Sequence, residues 1–147
     1  MKQLSLMFAL LVAGVFALSG TQGYALVIDE IVVDVPFSFT VDNTTLPAGR
    51  YVVSTPDSME PRLLEIHQEN GDLGVLFLTE DTPSDKTPDK SELVFNRIGK
   101  REFLHQVLED GVMPGNQLLE PRAEKKLEKE VTKGELHHIP AQRRARR

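Results

Sequence analysis

Ile31, Val33, Val35, Phe37, Phe39 and Val41 are all apolar, and Val32, Asp34, Pro36, Ser38 and Thr40 alternate with them. Successive side chains of an extended strand point to opposite faces, so the stretch predicts a strand with one unbroken apolar face, breached on the other only by Val32. Pro36 has no N–H to give a sheet ladder. It predicts a kink that lets the two halves join different sheets or bend around a barrel. Phe37 and Phe39 are expected to be buried in one core, with Ser38 and Thr40 facing out or towards a neighbouring strand.

The alternation recurs downstream. Asp42 to Thr45 reads as a polar turn, and Arg50 to Thr55 as a strand hairpinned to the first, with Tyr51 and Val53 on one face. Arg62 to Gln68 reads as a strand with Leu64 and Ile66 inward. Asn70-Gly71 predicts a tight hairpin into Leu73–Thr79, whose apolar residues on both faces mark a strand in the middle of the fold. Glu80 to Glu92 reads as a charged loop. Glu92–Ile98 and Arg101–Glu109 form a last strand pair joined at Gly99-Lys100. Then the period changes. Pro121 suits a first helical turn, Ala123, Leu127 and Val131 recur every four residues, and Gly134 is a stop. The fold class predicted is mainly β: a small antiparallel barrel or sandwich of six to seven strands with a C-terminal α-helix. Residues 134–147 lack periodicity, end in arginines, and read as a disordered basic tail.

Residues 1–25 read as a signal peptide. Lys2 precedes an apolar run from Leu4 to Leu18, and Gly23-Tyr24-Ala25 offers small residues before a cut after Ala25. The run is shorter than the roughly 20 residues a bilayer core needs, so no stable membrane anchor is expected after cleavage. Residues 26–133 remain as one β-rich domain, in the periplasm or outside the cell. The chain's formal charge of −5 becomes −6 once Lys2 is removed, which argues against nucleic acid as a partner. There is no cysteine, so neither a disulfide frame nor a lipid-bearing N-terminal cysteine is available.

Candidate chemistry is sparse. Asp81, Asp85, Asp89 and Glu92 fall at positions 1, 5, 9 and 12 of a calcium-loop spacing, but Pro83 and Lys86 take places where a ligand and a glycine are needed. His67 is expected to be exposed. His105, taken to share a face with Phe103 and Val107, is expected to be partly buried, and His137 and His138 lie in the tail. Such scattered histidines do not make a zinc site. The carboxylate pairs Asp29/Glu30 and Asp57/Glu60 read as solvated. No nucleophile elbow, Ser-x-x-Lys pair or phosphate loop occurs. Catalytic, cofactor-binding and metal-ligating residues are therefore all expected to be none, and no cofactor is expected.

Val35-Pro36-Phe37-Ser38-Phe39, Leu46-Pro47-Ala48-Gly49 with Tyr51, Leu93-Val94-Phe95 with Arg97 and Gly99, Phe103-Leu104, and Arg122-Ala123-Glu124 with Leu127 stand in this order. The set resembles a family of short, signal-peptide-bearing secreted proteins of unknown function from environmental bacteria. That family tends to carry His and Tyr where this chain has Asn96 and Ile98, and Tyr in place of Glu102. The resemblance implies a β-rich domain with a C-terminal helix, and it supplies no activity. By elimination, the function expected is a non-catalytic, envelope-associated or secreted module that contacts protein, for instance through an unpaired strand edge. The alternative is a carrier of a small apolar ligand inside a barrel lined by Phe37, Phe39, Phe77, Phe95 and Phe103; a hydrolase is a minor alternative.

Overall fold

The computed structural model describes residues 30–56, 60, 62–130 and 134–145. The expected signal segment lies outside them. The described residues form β1 (Glu30–Val35), β2 (Phe39–Val41), β3 (Thr44–Leu46), β4 (Gly49–Ser54), β5 (Leu63–Gln68), β6 (Gly74–Asp81), β7 (Glu92–Ile98), β8 (Arg101–Leu108), β9 (Asn116–Leu118), α1 (Arg122–Glu130) and β10 (Glu135–Arg144). The order β8-β7-β10-β1-β4-β5-β6-β9, with β9 returning to β8, closes an antiparallel barrel of eight strands. The hairpin β2–β3 extends it, with β2 parallel to β8 at Phe39↔Glu102 and Thr40↔Phe103. The mainly β fold with a C-terminal helix is the one read from the sequence, and of the two architectures left open there, barrel and sandwich, it is the barrel. Its strand count exceeds six or seven because β3 and β9 are three-residue pieces set in polar turns, and because one strand comes from the expected tail.

The kink at Pro36 does what its missing donor requires. β1 ends at Val35 and lies between β10 and β4, whereas β2 sits beyond β8. Phe39 is buried at the centre, and Phe37 is half-buried, its ring edge-on to Phe95 and stacked on His137. Thr40 does not face out. It is buried between β8 and β3, where its hydroxyl shares a hydrogen bond with that of Thr45. Ser38 is exposed, and its hydroxyl donates to the Leu46 carbonyl at 3.0 Å. Asp42 turns the hairpin with φ 52, a left-handed conformation that aspartate tolerates.

The inward rows of β1, β4, β5, β7 and β10 supply Ile31, Val33, Val35, Tyr51, Val53, Leu64, Ile66, Leu93, Phe95 and Ile139 to one core. Phe39 meets Tyr51 and Phe95 edge-to-face at centroid distances of 5.1 and 5.3 Å. The Tyr51 hydroxyl donates to the Pro47 carbonyl at 2.7 Å, so the buried ring keeps its polar end satisfied.

Four sequence readings are corrected. Asn70-Gly71 lies in a five-residue connection between Gln68 and Gly74 rather than a two-residue turn. β6 is not a doubly covered central strand: Phe77 and Thr79 are buried, but Leu76 and Leu78 stand exposed on its outer face. Phe103 and Val107 do not share a face. The register slips between Val94 and Phe95, which pair with Gln106 and Leu104, and the extra residue, His105, inverts the facing of β8 beyond it. Val107 therefore reaches the core, while Phe103 packs outside it under the Arg101 guanidinium.

The largest correction concerns the expected disordered tail of residues 134–147. Glu135–Arg144 is a strand laddered on both sides, to β7 and to β1. Only Ile139 and Ala141 mark its inner face as apolar, too few for alternation to show. Its arginine and histidine side chains meet carboxylates from elsewhere in the barrel. Arg144 reaches Glu30 at 2.7 Å and Glu69 at 2.9 Å, and Arg143 reaches Glu109 at 3.0 Å. His137 and His138 place Nδ1 3.3 Å from Glu102 and 2.9 Å from Glu92. Arg146 and Arg147 lie outside the described residues.

Candidate functional site

Of the phenylalanines named as a ligand lining, Phe39, Phe77 and Phe95 are core residues, Phe37 packs at the core's margin and Phe103 lies outside it. The rings of Phe39, Tyr51 and Phe95 pack against one another where a ligand would have to sit.

The loop from Asp81 to Glu92 does not gather its carboxylates. Asp81, Asp85 and Asp89 are exposed. Glu92 is buried at the start of β7 and engages His138 and, at 3.1 Å, the Lys90 ammonium. Burial alone would raise its pKa, but these two partners outweigh it and hold the carboxyl below its ordinary value. The loop lines a pocket of about 350 Å³ with Ser84, Lys86 and Thr87, and Gln106 and Leu108 of β8 complete its wall. Among the described residues no group of three or more His, Cys, Asp or Glu side chains converges as metal ligands would. His67 is half-buried, with its Nδ1 lacking a partner among the described residues. His105 is half-buried, and burial lowers its pKa against the opposing charges of Glu120 and Glu128. Glu30 pairs with Arg144, and Glu60 accepts from the Arg62 backbone N–H. Asp29 and Asp57 lie outside the described residues.

Sequence reasoning missed a polar node between β7 and α1. Asn96, in the apolar run of β7, donates through Nδ2 to Glu124 Oε1 at 2.8 Å and to Glu128 Oε1 at 3.0 Å. Glu124 is 1% exposed. Burial, with the nearby charges of Glu120 and Glu128, pushes its pKa up to about 7 despite the Asn96 hydrogen bond. Leu127, from the expected apolar stripe, is half-buried. The i,i+4 spacing of Glu124 and Glu128 was the signal available, since two acids one turn apart repel unless something takes up their charge. The node lies in neither pocket described here, and it docks the helix on the barrel.

The remaining feature is the outer edge of β6. Residues Gly74–Leu78 pair with β5 on one side, whereas β9 pairs only with Thr79–Asp81 on the other. The bonds Gln68 N–H to Leu73 carbonyl and Thr79 N–H to Arg62 carbonyl set the phase of the β5–β6 ladder. In an antiparallel pair every second residue exchanges bonds, so Val75 and Phe77 bond to β5, and Gly74, Leu76 and Leu78 aim their N–H and C=O groups away from it. No loop or turn backbone bond among the described residues engages those three.

Beside this edge Leu73, Leu76, Leu78 and Leu119 are each 50–56% exposed. Leu76 and Leu78 share with Leu63, Leu118, Leu119 and the hairpin residue Asp42 the wall of a pocket of about 270 Å³. Charged side chains, proline or a bulge would blunt such an edge, and Gly74–Leu78 contains none of them. No family model, curated protein or solved structure matches this chain.

Proposed function

We propose that the protein is an exported, non-catalytic binding module that takes an extended segment of another protein on the open edge of β6. One observation carries this reading: three consecutive outward-facing backbone positions, Gly74, Leu76 and Leu78, lie unpaired among the described residues next to a cluster of exposed leucines. Strand addition uses both parts, the backbone groups for affinity and the apolar pockets for choice of side chain. An apolar surface of this kind on an otherwise charged protein marks a place where something binds. The carrier reading draws no such support, because Phe37 and Phe39 pack edge-on against Phe95 and Phe103 lies outside the core.

The test is photo-crosslinking in the producing cell from a reactive residue placed at Leu78, with one at the exposed Asp34 of β1 as the control position. Adducts from position 78 should map to an extended stretch of one partner and disappear when Leu76→Pro removes the central outward N–H, a change that spares the bonds to β5. Equal yields at the two positions, or adducts indifferent to Leu76→Pro, would refute the reading.

A further inference from the structure

Resting on that reading, we infer that the segment received by β6 carries apolar side chains at alternate positions and lysine or arginine at its flanks. The apolar part follows from the pleat. A strand added beside Gly74–Leu78 places every second side chain on the outer face next to Leu76 and Leu78, with Leu63 opposite Leu78 across the β5 ladder. The basic flanks follow from the charges around the edge. Asp42 lines the pocket, Asp72 stands two residues before β6, and Glu80 follows the open stretch; all three are exposed, and none has an ion-pair partner among the described residues. Glu65 adds a fourth acid, its Oε1 3.6 Å from where a Cβ on Gly74 would lie. On the basic side stand Arg62 and the half-buried His67, both on the β5 side of β6. A second copy of the chain fits poorly, because antiparallel pairing centred on Leu76 sets Asp72 of one copy against Glu80 of the other, and a net charge of −5 opposes self-association.

The experiment uses fluorescent heptapeptides alternating valine and threonine, flanked by lysine, by glutamate, or by lysine with a central proline, titrated against the purified protein. The lysine-flanked peptide should bind about tenfold more tightly than the glutamate-flanked one at low salt, with the gap closing at high ionic strength. The proline peptide should not bind. Asp42→Asn with Asp72→Asn should shrink the gap without unfolding the barrel, since both side chains are exposed. Leu76→Lys, a surface change that keeps the ladder, should weaken the lysine-flanked peptide most. Equal affinity for the two flanks, or no binding of either, overturns the inference while leaving crosslinks from position 78 to stand or fall separately. So does a concentration-dependent dimer in sedimentation that Leu76→Lys abolishes, which would give the edge to a second copy.

Discussion

Asn96 holds Glu124 under the helix with a 2.8 Å hydrogen bond, and the carboxyl it holds is 1% exposed with its pKa raised to about 7. A buried acid of this kind favours the folded state in its protonated form. Its contribution is complete below the ordinary value of 4.5 and is lost as the pH rises through about 7. Stability should therefore fall as the pH rises from about 4.5 to about 7 and level off above that, by roughly 3 kcal/mol at most at about 1.4 kcal/mol per tenfold change in proton affinity. Glu124→Gln, which keeps an acceptor for Asn96 but cannot ionise, should flatten that slope in urea melts across the range. A variant that keeps the slope of the parent would place the titration elsewhere.

Gly134 is needed for a reason unrelated to stopping a helix. A Cβ there would collide with the Asn96 carboxamide, whose carbon lies 2.8 Å from that position. Gly134→Ala should cost about 1–3 kcal/mol, the usual range for overpacking. In an Asn96→Ala background the same change should cost much less, and the double-mutant cycle on urea midpoints reads that coupling. Additive costs would mean that the two residues do not meet.

At acid pH the relevant pair is Glu92 and His138. The Glu92 carboxyl is held below its ordinary value, so its contribution is present above the ordinary carboxylate range and lost as the pH falls through the folded value. His138→Ala removes the first of its two partners and should move the acid-unfolding midpoint to higher pH, with a loss of roughly 1 kcal/mol at neutrality, since His138 itself is half exposed. An unchanged acid midpoint would assign the low-pH transition to other carboxylates.

Phe39 and Ser38 differ sharply although they are adjacent. Phe39→Ala empties the centre of the core and should cost about 3–5 kcal/mol. Ser38→Ala removes only the bond to the Leu46 carbonyl and should cost about 0.5–1.5 kcal/mol. Two chemical melts beside the parent protein decide it, and the reverse ranking would put β2 in the opposite register.

The facing of β1, β2, β4 and β5 was legible because Ile31, Val33, Val35, Phe39, Val41, Tyr51, Val53, Leu64 and Ile66 stand at alternate positions and all reach the core, and Pro36 was legible because a missing donor has few places to go. β6 misled because Leu76 and Leu78 are as apolar as core residues; composition cannot separate a face covered by the protein itself from one left open. The inversion after His105 was hidden because a bulge depends on the partner strand, which a single strand's alternation does not report. β10 was hidden because its ladder and its ion pairs, Arg144 with Glu30 and Glu69 among them, join residues far apart in the chain. Asn96 reads as an interruption in an apolar run until α1 is placed above it.

β10 is the stave between β7 and β1, and its pairing with β1 ends at Glu30 opposite Arg144, residues 114 positions apart whose side chains also bond. Closure must therefore wait for the two most distant described stretches to meet. Until then the sheet is open along two long seams, and the halves on either side are joined only through the short β8–β9 contact. The loop-closure entropy of that meeting comes before any ladder bond repays it, which makes folding slow for a barrel of this size. During synthesis the ribosome must release residue 144 before β10 can complete its ladder with β1.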